Sequence, residues 1–228
     1  MNTDNPGAPR FDMYTTIHKA LRALMADTLL AVGRMDVDDE LEFAQVTQRV
    51  LELLEFCAGH VAHEDQFVHP MLEARVPGSS REAAAGHRSH EQEFQHLSAV
   101  VATLRAAPAA QRPAKALALY RELALFIAGN FEHMHVEETA HNAALWGAYT
   151  DQELVAAHDQ LLASIPPDEM MVTVRWLVPF MNPAERAGML GAMRAAAPAP
   201  AFQAVVDTVR PHLTQREWSK LQRQLALA

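Results

Sequence analysis

Residues 60–65 read His-Val-Ala-His-Glu-Asp, and residues 133–138 read His-Met-His-Val-Glu-Glu. In both stretches the first histidine is followed four residues later by a glutamate. Side chains four residues apart lie on one face of an α-helix, so each stretch directs an imidazole and a carboxylate toward the same neighbour. Two such pairs, far apart in the chain, indicate a metal site between helices.

The residues around these stretches predict an all-helical protein. Good helix formers such as alanine, leucine, glutamate and arginine dominate, and strand alternation and Asn-Gly or Asp-Gly hairpin signals are lacking. Long helices joined by short connections are typical of an antiparallel up-and-down four-helix bundle. We expect the four helices at about 11–33, 38–69 or 75, 79–106 and 113–147.

Every predicted bundle helix supplies an imidazole, and facing helices of a bundle build metal sites from such inward side chains. His87 and His133 each lie about 20 residues from the loop between their helices, which places them at the same level if each residue rises about 1.5 Å. The candidate ligands are, in helix order, His18, then His60 and Glu64, then His87, then His133 and Glu137.

The second predicted helix contains His69-Pro70. Proline lacks a backbone donor and clashes with the preceding turn, so we expect a break or kink at this point. Such a break also brings His60 level with His87. Because the further pair His69 and Glu73 straddles the break, we interpret it as a pair that does not bind metal.

Composition excludes several classes of protein. The 228 residues carry a net charge of −9, opposite to the basic footprint of nucleic-acid-binding proteins, and they contain no polybasic cluster for anionic lipid. The single cysteine, Cys57, excludes an internal disulfide and a thiolate zinc site. No apolar run approaches the roughly 20 residues of a membrane span, and residues 1–10, expected to be flexible, lack signal-peptide features. We expect a cytoplasmic protein without nucleic-acid or membrane partners.

Beyond residue 149 the helical pattern becomes shorter, with proline-containing breaks at Pro166-Pro167 and at 196–200. We interpret residues 11–149 as the bundle and residues 150–228 as a C-terminal helical extension without a cluster of histidine and glutamate. The stretch 170–183 is apolar on most sides, which favours packing against the bundle or against a second copy in a homodimer.

The candidate ligands resemble the pattern of the hemerythrin-like family, also called the HHE cation-binding domain. That pattern is a lone histidine on the first helix, His-x-x-x-Glu on the second, a histidine on the third and His-x-x-x-Glu or a close variant on the fourth. The resemblance covers about residues 11–147 and implies two non-haem irons bridged by carboxylates, although other divalent metals suit the same ligands. Four imidazoles and two carboxylates also exceed what one tetrahedral zinc requires.

The chain departs from oxygen-carrying hemerythrins at two positions. Those proteins have a second histidine four residues after the third-helix histidine, where this chain has Glu91. They also have an acid five residues after the last histidine, which here is Glu138 rather than Glu137. We include Glu91, four residues after His87, among the candidate ligands. If it is a ligand, the centre becomes more anionic and favours oxidised iron over reversible oxygen carriage. If it is not, one iron keeps an open position for O₂, peroxide or NO.

Three functions stay open at this point. The first is binding or sensing of O₂, NO, a related small ligand or iron itself. The second is an enzyme that reduces peroxide, O₂ or NO, and the third is a helical interaction module with structural or no metal. A ferritin-like site built from Glu-x-x-His motifs is a rival, but the predicted first helix has no glutamate and the motifs do not alternate between helices as such a site requires. These motifs are Glu93/His96, Glu132/His135 and Glu138/His141.

Overall fold

The computed structural model of the chain describes residues 10–226. Residues 1–9 and 227–228 lie outside the described residues, and with them nearly all of the segment that we expected to be flexible. The described part is all-helical and contains no strand, which confirms the predicted fold class. None of its helices is long and apolar enough to cross a membrane.

The described residues form eleven α-helices, two π-helical turns and three short 3-10 turns. The α-helices are α1 (Thr15–Arg34), α2 (Glu40–His63), α3 (His69–Arg75), α4 (Arg81–Arg105), α5 (Arg112–Val136), α6 (Asn142–Ala148), α7 (Asp151–Ser164), α8 (Pro167–Leu177), α9 (Pro183–Ala196), α10 (Ala199–Val209) and α11 (Gln215–Leu225). The π-helical turns are Glu64–Val68, between α2 and α3, and Glu137–His141, between α5 and α6.

The long helices α1, α2, α4 and α5 contact one another in a closed series. Helix α2 packs against α4, and α4 packs against α5. On α1, Asp27 forms an ion pair with Arg49 of α2. A Cβ atom added at Gly33 would lie only 2.9 Å from the Tyr120 ring, so the last turn of α1 approaches α5 closely. The packed leucines include Leu123, which is fully buried.

The expected break at His69-Pro70 is a π-helical turn that lies just before this dipeptide. In a continuous α-helix the Pro70 ring would clash with the carbonyl four residues earlier, at Gln66. Because hydrogen bonds in a π-helical turn run between residues five apart, the turn Glu64–Val68 relieves this conflict and the chain continues directly into α3. The second π-helical turn, Glu137–His141, contains no proline and was not predicted.

The chain divides into two compact units. One contains residues 10–15 and Leu24–Ala163, and the other contains Thr16–Ala23 and residues 164–226. The domain limits expected from the sequence, 11–149 and 150–228, stay a prediction.

The second unit has a hydrophobic core of its own, so the extension is a packed structure. Helices α9 and α11 each begin with a capping box, in which the residue just before the helix and a glutamate three residues later satisfy each other's backbone donors. A homodimer through these helices stays a prediction. The buried core residues are Val174, Val178, Leu190, Phe202, Val206, Val209, Trp218 and Leu221.

Candidate metal centre

Two adjoining groups of buried carboxylates and of buried or half-buried imidazoles lie among the long helices and the π-helical turns. In the first group, one ligand atom from each residue lies within 4.8 Å of the others. Its histidines come from α1 and α2, and its two glutamates begin the two π-helical turns. We call this group position A. Its members are His18, His60, Glu64 and Glu137.

The second group uses the same two carboxylates with imidazoles from the other two long helices. Its ligand atoms also lie within 4.8 Å of one another, and its histidines come from α4 and α5. We call this group position B. Its members are Glu64, His87, His133 and Glu137. The six residues of the two positions are the six that the helix-by-helix argument selected.

The donor atoms in both positions have the separations of neighbouring ligands on one cation. Two ligands that are each about 2.1 Å from a metal lie about 3.0–3.4 Å apart at octahedral to tetrahedral angles. Nε2 of His60 lies 3.2 Å from Oε1 of Glu64, and Nε2 of His133 lies 3.1 Å from Oε1 of Glu137. The residues present therefore fit a metal.

Glu64 faces both positions at once. Its Oε1 lies 3.2 Å from Nε2 of His60 in position A. Its other oxygen, Oε2, lies 3.4 Å from Nε2 of His87 in position B. Glu137 likewise belongs to both groups, and its Oε1 lies 3.6 Å from Nε2 of His87. A carboxylate that faces two positions can bridge a cation in one to a cation in the other.

The electrostatics of the centre favour positive charge. Glu64 is 3% exposed and Glu137 is fully buried, and two neighbouring buried carboxylates are unfavourable unless positive charge compensates them. Burial opposes the charge on His87, yet its contacts with the carboxylates of Glu137 and Glu64 raise its pKa to about 10. Bound cations would supply the compensating charge directly.

Asp65 orients two histidines at the edge of this centre. Its Oδ1 lies 2.8 Å from Nδ1 of His87 and 2.8 Å from Nδ1 of His69. The two imidazole rings are stacked, with centroids 4.8 Å apart. A histidine that donates its Nδ1–H to a carboxylate is held in place and presents Nε2 to a metal. Asp65 was not predicted from the sequence, although it directly follows Glu64.

We expect Asp65→Asn to weaken metal binding by about 10- to 100-fold, the usual effect of removing a carboxylate that orients a metal-binding histidine. Equilibrium dialysis of chelator-treated protein against Fe²⁺ under anaerobic conditions measures the affinity. Glu91→Gln, which also removes one carboxylate, is the matched control and should leave the affinity unchanged. Equal affinities for Asp65→Asn and the unaltered chain would show that Asp65 has no such role.

A glycine permits the close approach of α4 to His133. A Cβ atom added at Gly86 would lie 2.9 Å from Nδ1 and 3.1 Å from Cε1 of the His133 ring. Any larger residue at this position would therefore displace the imidazole. Gly86 directly precedes His87, but only the packing of α4 against α5 reveals its contact with the other ligand helix.

The structure does not bring Glu91 or Glu138 into position A or B. The buried face of α4 runs through His87, His90 and Phe94, and Glu91 is exposed beyond the edge of that face. Glu91 was predicted as a ligand because it is four residues from His87, but the packing of α4 turns its side chain toward solvent. The centre has six residues without it.

Two histidines that we had not expected to be ligands lie beside the centre. Ligand atoms of His69, Glu137 and His141 lie within 4.8 Å of one another. His141 is four residues after Glu137, so its place on the same face was already visible in the sequence. His69 is five residues after Glu64, which on an α-helix is a rotation of about 140°. The π-helical turn between them removes most of that rotation.

Tyr14 lies against the second of these histidines. Its hydroxyl is 3.1 Å from Nδ1 of His141. Burial of the Tyr14 side chain, reinforced by the negative charges of Glu64 and Glu137, raises its pKa well above the ordinary value for tyrosine. The phenol therefore stays protonated at neutral pH.

Comparison with known families agrees with this geometry. A family model described as the hemerythrin HHE cation binding domain matches residues 11–143. The chain belongs to this family. The matched part of this HHE protein includes every residue of positions A and B, which confirms the family expected from the sequence and implies that the domain binds cations. No curated protein matches the chain significantly.

Proposed function

We propose that this HHE protein holds two iron ions, bridged by Glu64 and Glu137, inside an antiparallel four-helix bundle. The closed series of contacts among the four long helices supports the bundle. The observation that carries the proposal is that both carboxylates belong to both groups of imidazoles. A single cation would need only one of these groups.

The proposed centre binds or senses a small ligand such as O₂ or NO, or responds to iron itself. Bound iron supplies a reversible change of oxidation state and an affinity for such ligands. Glu91 is exposed, so His87 is the one residue of α4 among the members of position B. This supports an open coordination position on a cation bound there. An open position is what a small ligand requires.

The protein residues around the centre limit the access of water and hold a proton nearby. Phe94 and Phe126 are buried and pack edge to face, with ring centroids 5.8 Å apart. Both rings lie against His90, which in turn contacts the His133 ring at 5.0 Å. On another side, the protonated hydroxyl of Tyr14 can donate a hydrogen bond close to Glu64 and Glu137.

Two of the imidazoles of the centre are partly exposed, although their Nε2 atoms are buried. The side chains of His60 and His133 are 13% and 14% exposed, whereas that of His87 is 2% exposed. The outer edges of these two rings, which belong to different positions, are therefore the most exposed parts of the imidazoles compared here.

The second candidate function uses the same centre for turnover, as an oxidoreductase that reduces peroxide, O₂ or NO. The same open position favours it, since a substrate and a reversibly bound ligand have the same need for access. In both candidates the six residues of positions A and B hold the metal, and the candidates differ only in whether the ligand leaves unchanged.

We expect protein purified in air to contain about two irons per chain and to absorb visible light, as a dinuclear non-haem centre with open coordination should. Elemental analysis and an absorption spectrum measure both properties. Zinc as the sole bound metal, or no metal at all, would contradict the proposal. Anaerobically reduced protein then distinguishes the candidates on exposure to O₂: a reversible spectral change supports binding, and continued consumption of reductant supports an enzyme.

A further inference from the structure

A third group of buried donors adjoins positions A and B. One ligand atom from each of His69, Glu137 and His141 lies within 4.8 Å of the other two. His69 is 6% exposed, His141 is 2% exposed and Glu137 is fully buried. We call this group position C. Its two histidines lie outside the His and His-x-x-x-Glu pattern on which the first two positions are built.

His69 presents an unsatisfied nitrogen to this position. Its Nε2 is buried and makes no hydrogen bond to any described residue. Its Nδ1 lies 2.8 Å from Oδ1 of Asp65. With the Nδ1–H donated to the carboxylate, the lone pair of the neutral ring lies on Nε2, which is the arrangement of a metal-binding histidine. A buried polar atom left unsatisfied is unfavourable, so the position calls for a ligand.

His141 and Glu137 complete the donor set. The hydroxyl of Tyr14 lies 3.1 Å from Nδ1 of His141, so the phenol oxygen can accept the Nδ1–H and leave the other ring nitrogen to a metal. A carboxylate has two oxygens and about four lone-pair sites, so Glu137 can contribute to more than two cations. Three converging donors therefore surround position C.

We propose that position C binds a third divalent transition-metal cation beside the bridged pair. The proposal rests on the proposed function, because Glu137 is shared with positions A and B. Two imidazoles and one carboxylate suit Fe²⁺, Co²⁺ or Zn²⁺, whereas Ca²⁺ and Mg²⁺ prefer oxygen ligands. With three protein donors, the cation keeps at least one exchangeable position. Its repulsion from the pair makes it the weakest of the three and the first to be exchanged.

Cobalt counting tests this proposal without reference to any activity. Chelator-treated protein is dialysed to equilibrium against Co²⁺ without oxygen, and bound cobalt per chain is measured by elemental analysis. We expect about three equivalents for the unaltered chain, the third binding on the order of tenfold more weakly because like charges repel. His69→Ala with His141→Ala should bind about two, with the affinity of these two changed by less than about threefold.

The control variant, His96→Ala with His135→Ala, also loses two histidines, both exposed, and should bind about three equivalents like the unaltered chain. If the His69/His141 variant does not fold, as judged by circular dichroism, His69→Gln with His141→Gln preserves side-chain volume and takes its place. Saturation of the unaltered chain at two equivalents would overturn position C and leave the bridged pair standing. Three equivalents in the His69/His141 variant would also overturn it. One equivalent or none in the unaltered chain would overturn the pair as well.

Discussion

A variant in which His60 and His133 are both replaced by alanine is expected to lose nearly all bound iron, from about two to less than about 0.2 per chain, because it removes one imidazole from each position. His60→Ala removes one imidazole from position A, and His133→Ala removes one imidazole from position B. In each position the two carboxylates and the one remaining imidazole are then too few ligands to retain a cation. Elemental analysis after desalting measures the loss.

The same stretches of sequence provide a matched control. His63 and His135 lie three residues after His60 and two residues after His133, and neither belongs to any group of converging ligand atoms. His63→Ala with His135→Ala should keep the iron of the unaltered chain. Retention of two irons by the His60/His133 variant, or an equal loss in both variants, would refute the assignment of ligands.

Removal of the metal is expected to lower the melting temperature by roughly 8–16 °C, since a 150–250-residue domain shifts by about 2–4 °C per kcal/mol. A ligand present at about 1,000 times its dissociation constant stabilises the folded state by about 4 kcal/mol. Without the cations, Glu64 and Glu137 remain buried as neighbouring carboxylates, and the positive charge that they favour on His87 compensates their repulsion only in part. Thermal unfolding with and without a chelator measures the difference.

A single substitution separates this effect from other consequences of chelation. Glu64→Gln removes one of the two buried charges, so its metal-free form should melt a few degrees above the metal-free unaltered chain, at about 2–4 °C per kcal/mol. Its metal-loaded form should melt lower than the loaded unaltered chain, because one bridge is lost. If chelation removes all metal and the melting temperature stays the same, bound cations do not stabilise the buried carboxylates, and the proposed centre is wrong.

The spacing of four residues was the part of the centre that the sequence revealed most directly. His60 with Glu64, and His133 with Glu137, lie on α-helices up to the glutamate, so the helical period puts the two members of each pair on one side of the helix. A His on each of the two other long helices then followed from the bundle arrangement. At Glu91 the same spacing does not bring a carboxylate to the centre, because spacing along one helix does not say which side of that helix faces its neighbours.

One of the residues that were missed, His69, depends on a departure from the α-helical period. His69 reaches the centre because the π-helical turn Glu64–Val68 advances it around the helix. Asp65 then contacts both His69 and His87, which lies on a different helix. The contact between Asp65 and His69 has the four-residue spacing of a helix, but no pattern of period 3.6 predicts that Asp65 also reaches His87 on another helix. The proline at Pro70 indicated an irregularity, but it did not indicate that the irregularity was functional.

The sequence by itself determined the all-helical class through helix propensity, and it indicated the family through the resemblance of its histidine and glutamate motifs. The period of one helical turn also selected six side chains that converge in the structure. The tertiary structure decided the direction of Glu91, the shared contacts of Asp65, the need for glycine at position 86 and the third group at His69 and His141. The physical reason is that these features depend on how helices rotate and approach one another. The helix propensity of the local sequence determines where a helix forms, but only the packing of helices determines which of its side chains contact other helices.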